Sequence, residues 1–344
     1  MKKLISLICV LAMVLALAAC GSSAPAAATE APTASTEAPS ADVSADKTFV
    51  VGICQLVQHP ALDAATQGFK DALTEALGDK VTFQEQNASG DSATCSLICN
   101  QFVSDEVDLI MANATASIQA AASATNTIPI LGTSITDYGV ALGVDNWTGV
   151  SGTNISGTSD LAPLDGQAAM IQELFPDAKT IGLLYSNSEA NSTTPIAEAK
   201  AYLDAKGIAY VEKTGNTNDE IMTAANALVG QVDAVFTPTD NVVMAAAAAV
   251  SETLTNAGIP FYTGADSFVT AGAFATCGVN YTELGTYTAD MALDILETGT
   301  VPEYHVMDGG IITVNTETAA ALDLDYSAFN DLAGTVVEVE TTTE

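Results

Sequence analysis

From residue 48 onward, apolar runs of strand length alternate with amphipathic runs of helix length, and that rhythm leaves few architectures open. An apolar strand over 48–54 precedes a helix over 60–77 that carries Leu62, Ala65, Phe69, Ala72, Leu73 and Leu77 on one face. Strands at 81–86, 107–112 and 128–132 then alternate with helices at 92–103 and 115–124. The rhythm breaks over 135–158, a passage rich in Gly, Thr, Ser and Asn. It resumes with helices at 165–175, 192–206, 219–229 and 241–257, separated by strands at 179–185, 208–213, 234–236 and 259–262. A second Gly-rich passage at 263–272 leads to a strand at 273–279, a helix at 284–296 and a late strand at 310–314. Alternation at this spacing predicts an α/β fold with parallel sheets covered on both faces. The two breaks predict two lobes that the chain crosses between more than once. Residues 47–150 with about 268–300 are assigned to the first lobe, and 151–267 with about 301–335 to the second.

The segment before this body has a different character. Lys2 and Lys3 precede an apolar run over 4–19, which ends in Leu17-Ala18-Ala19-Cys20-Gly21. A basic start, a short apolar stretch and small residues at the cut describe a secretion signal over 1–19 rather than a membrane-spanning helix. The Leu-Ala-Ala-Cys ending resembles a bacterial lipobox, which makes Cys20 the first mature residue, with a lipid on its sulfur. The alternative is an ordinary cleaved signal with a cysteine nearby. Residues 21–46 are almost entirely Ala, Ser, Thr, Pro, Glu and Gly. Such a segment has little apolar surface to offset its ordering entropy and reads as a tether. The expected location is therefore outside the cytoplasm, on the outer face of the cell membrane. The C-terminal Thr-Thr-Thr-Glu is also expected to be loose.

Charge excludes one class of partner. All nine basic residues are lysines, against 42 acids, and the formal net charge is −33. Neutralising phosphates requires clustered Lys and Arg, so a nucleic-acid partner is excluded. The acidity itself reads as surface adaptation and solubility. Beyond Cys20, the chain holds Cys54, Cys95, Cys99 and Cys277, and its only histidines are His59 and His305. No metal-site spacing joins them, and no metal or cofactor is expected. Cys95 and Cys99 lie four apart on a helix, a geometry poorly suited to a disulfide. Buried thiols are expected, with a bridge as the alternative in an oxidising compartment.

Ligands of open α/β folds sit in the crevice beyond the carboxyl ends of the strands. Those ends fall at 55–59, 113–115, 133–137, 185–191, 237–241 and 264–266, and each is short and polar. They supply the candidates Gln58, His59, Asn113, Thr115, Ser134, Asp137, Tyr185, Glu189, Asn191, Thr239, Asp240, Asn241 and Asp266, with Leu62, Ala116 and Ser192 just beyond. Asp, Asn, Ser and Thr at such places also cap helices. For any single residue capping is the stronger reading; for the set, binding is.

Several stretches carry a resemblance. They are Val51-Gly52-Ile53, Gln58-His59-Pro60-Ala61-Leu62-Asp63, Asn146-Trp147-Thr148-Gly149-Val150, Gly182-Leu183-Leu184-Tyr185, Ser188-Glu189-Ala190-Asn191-Ser192, Thr239-Asp240-Asn241 and Gly278-Val279-Asn280-Tyr281-Thr282-Glu283-Leu284-Gly285. Spread over essentially the whole body, they resemble the ABC-transporter substrate-binding lipoproteins whose better-understood members bind tryptophan, tyrosine or phenylalanine. The resemblance implies two Rossmann-like lobes joined by a hinge, in the manner of type I periplasmic binding proteins. It also implies a monomer that delivers a small ligand to an ABC permease. One departure stands out: the family often has Asp-Pro after its fourth strand, where this chain has Asp137-Tyr138, a change expected to reshape the pocket wall.

A zwitterionic amino acid needs donors for its carboxylate and acceptors for its ammonium. With no arginine, backbone N–H groups at helix N-termini are the strong remaining donors. The starts at Thr115-Ala116 and Asn191-Ser192 suit that role, with the Thr115 and Ser192 hydroxyls as further donors. The ammonium is assigned to Asp240 or Glu189, with Asp266 as a further option, and His59, Leu62 and Tyr185 to the side-chain pocket. Three other classes are weighed. An enzyme is disfavoured, because no phosphate loop, nucleophile elbow or zinc motif is found. A sensory receptor on the same scaffold is not distinguished by sequence. A sugar or nucleoside ligand is disfavoured by the sparse aromatics, with Trp147 the only tryptophan.

Overall fold

The computed structural model describes residues 47–342 apart from 146, 150, 151, 163, 175–177, 334 and 335. The signal segment, Cys20 and the tether lie outside the described residues, as do Asn146 and Val150 of the Trp147 stretch.

The first lobe begins with β1 (Phe49–Gln55), α1 (Pro60–Leu77), β2 (Val81–Asn87), α2 (Ser92–Ser104), β3 (Leu109–Asn113), α3 (Thr115–Ala124), β4 (Ile130–Ile135), α4 (Tyr138–Leu142) and β5 (Ile155–Ser159). The chain then passes to the second lobe through α5 (Leu164–Leu174), β6 (Thr180–Tyr185), α6 (Thr193–Lys206), β7 (Ala209–Thr214), α7 (Asn218–Leu228) and β8 (Ala234–Thr237). That lobe continues with α8 (Asn241–Met244), α9 (Ala247–Asn256), β9 (Phe261–Thr263), α10 (Asp266–Thr270) and β10 (Ala275–Gly278). It returns to the first lobe for α11 (Tyr281–Thr298) and β11 (His305–Val306), then crosses again to β12 (Ile311–Asn315), α12 (Thr316–Ala321), α13 (Phe329–Leu332) and β13 (Val336–Val339).

One sheet is six-stranded in the order β11-β5-β4-β3-β1-β2, and the other seven-stranded in the order β13-β12-β10-β9-β8-β6-β7. In the first, β1 runs parallel to both neighbours, with Val51 opposite Phe83 and Leu109. Alternation along these strands sorts the core. Val51, Ile53, Leu109 and Met111 face a layer with Phe69, Leu73, Ala289 and Ile295 from α1 and α11. Cys54, Ile110 and Ala112 face Cys99, Phe102 and Ile118 from α2 and α3.

The structure moves the expected boundaries. Strand β5, Ile-Ser-Gly-Thr-Ser, lies inside the passage read as irregular, because it lacks an apolar run, yet it pairs with β4 in the first sheet. Strand β10 belongs to the second sheet and β11 to the first, so the crossings fall after β5, β10 and β11. The second sheet is not wholly parallel, since β10 and β12 pair antiparallel. The long helix expected over 241–257 breaks at Ala245-Ala246 into α8 and α9. The tail is held as well: the Thr342 amide donates to the Thr270 carbonyl at 2.9 Å, and Asn315 Nδ2 donates to the Thr341 hydroxyl at 3.0 Å.

Cys54, Cys95 and Cys99 are buried thiols gathered around Ser117 of α3, with the Cys54 and Cys95 sulfurs each 3.6 Å from its hydroxyl. The Cys95 contact lowers the Cys54 pKa, but the Cys99 contact and burial outweigh it and push the thiol up to about 12, so it packs as a neutral thiol.

Helices α1 and α11 approach so closely that a Cβ at Gly285 would collide with the Ala65 carbonyl, and one at Gly68 with the Thr282 carbonyl. Overpacking a seam of this kind costs about 1–3 kcal/mol per added methyl. Gly285→Ala is therefore expected to lower the urea-unfolding free energy by about that amount; an unchanged midpoint would show that the seam has room.

Candidate functional site

The carboxyl ends of both sheets meet around a cavity whose empty space, counted with the solvent at its mouth, is about 350 Å³. Each of the six polar strand ends contributes to its wall: His59 after β1, Ala114 and Thr115 after β3, and Ser134 and Thr136 at the end of β4. The second lobe adds Asn191 after β6, Thr239 to Asn241 after β8, and Ala265, Ser267 and Phe268 after β9. Ala61, Leu62, Met244 and Tyr281 supply further surface.

The lobes touch directly across this space. Thr136 and Thr239 share a hydroxyl contact at 3.0 Å, and His59 Nε2 meets Asn241 Oδ1 at 3.1 Å. At the rim, the Thr194 hydroxyl donates to Asp137 Oδ2 at 2.6 Å.

Helix α3 opens onto the cavity without a side-chain cap. Its flanking residue, Ala114, sits at φ 85° and ψ 162°, a region that side chains other than glycine rarely enter. Ser134 is also left-handed, at φ 56°. Two residues with positive φ thus stand in one cavity wall. Four buried polar atoms of the wall find no protein partner: His59 Nδ1 and the hydroxyls of Thr115, Ser134 and Ser267. Buried polar groups are normally satisfied, so such a cluster is chemistry held in reserve.

Asp160 follows β5 at the first crossing and is 3% exposed. It accepts the Thr136 hydroxyl at 3.0 Å on one oxygen and the Tyr281 hydroxyl at 2.8 Å on the other. Burial pushes its carboxyl up, against the pull of these donors. The ion pairs among the described residues join surface lysines to Asp108, Glu85 and Glu212, and none reaches Asp160. A carboxylate in this position retains lone pairs toward the cavity and lacks a cation.

Asp240 is different. Its Oδ2 accepts the Ser186 amide and the Ser192 hydroxyl, each at 2.7 Å, and its Oδ1 accepts the Val242 and Val243 amides at 3.1 and 3.0 Å. With four donors its capacity is used. It caps α8 and clamps three segments of the second lobe, so an ammonium would find no free lone pair there. Capping likewise accounts for Asp137, which accepts the Val140 amide at 3.0 Å. Glu189 stands behind Asn241, accepting its Nδ2 at 2.7 Å, and does not line the cavity. Burial and the neighbouring Asp240 carboxylate raise Glu189 to about 7.

Of the sequence candidates, His59, Leu62, Thr115, Ser134, Asn191, Thr239, Asp240 and Asn241 line the cavity. The others do not, for identifiable reasons. Gln58 is exposed. Asn113 is consumed inside the first lobe, donating to the Leu62 carbonyl at 2.8 Å and the Thr66 hydroxyl at 2.9 Å. Ala116 packs into the core beside α2. Tyr185 turns away to Glu212 at 2.7 Å, Ser192 is spent on Asp240, and Asp266 flanks the wall without joining it. Tyr138, at the Asp137-Tyr138 departure, leaves the pocket wall alone. It is buried behind β4 and β5, donates to the Gly132 and Thr158 carbonyls and stacks on Trp147. The sequence reading missed Thr136, Asp160 and Tyr281. Asp160 would have emerged had Ser159-Asp160 been read as a strand end.

Comparison with known proteins adds the following. The profile of the ABC transporter substrate binding protein family matches residues 50–330. A tyrosine-binding protein from Clostridioides difficile is 37% identical over 279 residues, covering 80% of this chain and 81% of that protein. A Streptococcus pneumonia ABC domain in complex with L-Trp superposes with a TM-score of 0.79 at 29% identity, covering 85% of this chain and 100% of that one. The ligand-free, open structure of a substrate binding protein with adhesive properties from Clostridium difficile gives a lower TM-score, 0.67, despite 37% identity; it covers 86% of this chain and 100% of that one. The lobes here are thus arranged more like the liganded structure than the open one, in agreement with the direct contacts across the cavity.

Glu189 yields a prediction with a defined sign. Its folded pKa, about 7, lies above the ordinary 4.5, so between those values the folded chain binds more protons than the unfolded one. Its contribution to stability therefore falls as pH rises through that window. Burial raises Asp240 as well, against the pull of its four donors. In urea titrations at about pH 5 and about pH 7.5, Glu189→Gln is expected to lose on the order of 1–3 kcal/mol less than the unsubstituted chain on going to the higher pH. Parallel losses in the two proteins would mean that Glu189 does not titrate in this range.

Proposed function

Because this chain belongs to the ABC transporter substrate binding protein family, whose members bind substrates rather than transform them, we propose that it is the extracytoplasmic receptor of an importer and closes over a large, aromatic L-amino acid. In this reading a monomer tethered through lipid on Cys20 captures the ligand between its lobes and presents the closed form to a membrane permease.

The observation that carries the reading is the pairing of complementary charges within one cavity. A buried carboxylate without a cation, Asp160, shares the wall with the uncapped N-terminus of α3 and the unpartnered hydroxyls of Thr115 and Ser134. The ligand ammonium is assigned to Asp160. Its carboxylate is assigned to the α3 amides and the two hydroxyls, which replace the absent arginine clamp. Leu62, Met244 and Phe268 offer apolar surface for the side chain. The tyrosine-binding relative and the L-Trp-bound neighbour support the same ligand class. A sugar would leave Asp160 buried without a counter-charge.

A thermal-shift screen of amino acids, nucleosides and sugars tests the assignment. L-Tyr, L-Trp or L-Phe is expected to raise the melting temperature, with about 2.7 kcal/mol of stabilisation at a hundred times its Kd. Thr115→Val and Asp160→Asn are each expected to weaken that binding by about ten- to a hundredfold, the usual worth of a charged hydrogen bond. A shift produced by sugars or nucleosides alone would overturn the reading.

A further inference from the structure

We propose that His59 is the specificity-determining residue for the ligand side chain, its Nδ1 accepting a hydrogen bond from a donor at the far end of that side chain. The site would then take a phenol or an indole N–H in preference to a bare phenyl ring. The inference rests on the amino-acid reading above and deepens it.

The argument runs through a relay of three residues. Glu189 Oε2 accepts from Asn241 Nδ2 at 2.7 Å, and also from the Asn241 amide at 3.3 Å. Above about pH 7, where Glu189 is ionised and can only accept, it fixes which way the Asn241 amide faces, so Oδ1 is the atom turned toward the other lobe. That oxygen lies 3.1 Å from His59 Nε2. Two acceptors cannot bond to each other, so Nε2 carries the hydrogen. In the neutral ring, the other nitrogen is then a lone-pair acceptor. Burial pulls the His59 pKa down, outweighing the Asn241 contact and the nearby Asp63, and keeps the ring neutral.

The second nitrogen is the one left over. His59 lines the cavity, and its Nδ1 is buried with no partner. Although His59 is the residue preceding α1, its side chain makes no capping hydrogen bond. The imidazole therefore has no structural employment on that side. Among ligand atoms, only a donor satisfies it: a phenolic hydroxyl, an indole N–H, or the α-ammonium. The ammonium is claimed by Asp160, which leaves the side-chain donor for His59. A pocket built to hydrogen-bond a ligand donor rejects the analogue lacking it, because its own polar atom is then stranded.

Calorimetric titration of the full chain with L-Tyr, L-Trp and L-Phe tests this. The unsubstituted protein is expected to bind L-Tyr or L-Trp at least about tenfold more tightly than L-Phe. His59→Leu removes the acceptor and keeps apolar bulk; it should bring that ratio close to one, because the loss of the Nε2 contact with Asn241 falls on all three ligands alike and only the donor-bearing ones lose more. His59→Gln can donate to Asn241 through its amide and accept through its carbonyl, and should restore part of the preference. Circular dichroism confirms that the variants are folded. The chain has only two histidines, so nitrogen NMR reads the ring directly: the Nδ1 resonance of His59 should move with L-Tyr and stay in place with L-Phe. Equal losses for all three amino acids in His59→Leu would overturn the inference, while leaving the ligand class intact. Absence of binding by any amino acid would overturn both.

Discussion

The lobes are organised around one buried carboxylate. Asp160 leaves the first lobe at its first crossing, and its partner Tyr281 enters α11 at the second, so the hydrogen bond between them ties two of the connections on which any relative motion of the lobes must turn. Through Thr136 the same carboxylate reaches the wall contact with Thr239 of the other lobe. Taking a charge out of water without a counter-ion is expensive, and folded proteins avoid it unless something else supplies the compensation. Two hydroxyls supply part of it. The remainder is available to whatever enters the cavity, which is why the hinge and the ligand site cannot be treated as separate devices.

The absence of arginine shapes the rest of the site. Proteins commonly hold a carboxylate with a guanidinium fork. In the proposed reading, backbone amides at the start of α3 and two hydroxyls take that place, and amides are useful only when the backbone is held in the right attitude. Ala114 at φ 85° and Ser134 at φ 56° are the local expression of that demand. Each is costly by on the order of 1–3 kcal/mol; Ala114 directly follows β3, and Ser134 lies where the pairing of β4 with β5 shifts register between Gly132 and Ile135.

Much of this was legible in the sequence. The alternation of strands and helices gave the two-lobed α/β fold, and strand ends rich in Asn, Asp, Ser and Thr marked where the cavity lies. Residue roles were harder to read, for definite reasons. A carboxylate after a strand looks the same whether it caps a helix or awaits a ligand; Asp240 and Asp137 turned out to be caps, and only the count of donors on each oxygen distinguishes them. Tyr185 ends β6 as Asn113 ends β3, and neither reaches the cavity: Asn113 is spent inside the first lobe, and Tyr185 points outward to Glu212. Asp160 escaped notice because β5 reaches its buried position with Ser, Gly and Thr rather than with an apolar run. A strand built of small polar residues is invisible to hydrophobic periodicity. It is nevertheless the strand that leads to the hinge.

The energetics of closure follow from the same inventory. Direct bonds between the lobes are few and mostly neutral: Thr136 to Thr239, His59 to Asn241, and Thr194 to Asp137. Net contributions of this kind are about 1 kcal/mol each. Against them stand the atoms that closure takes from water without giving a partner, namely His59 Nδ1 and the hydroxyls of Thr115, Ser134 and Ser267. Each orphaned group costs about 1–3 kcal/mol, a cost set against those bonds and against the apolar cluster that joins Ala61, Ala65 and Leu284 to Val243 and Phe268. A ligand that satisfies those atoms and neutralises Asp160 removes the cost and adds bonds to both lobes. It thereby binds the closed arrangement better than the open one, which is the sole means by which a ligand can shift such an equilibrium. In the proposed role the unsatisfied wall is therefore functional: it makes closure report that the cavity is filled.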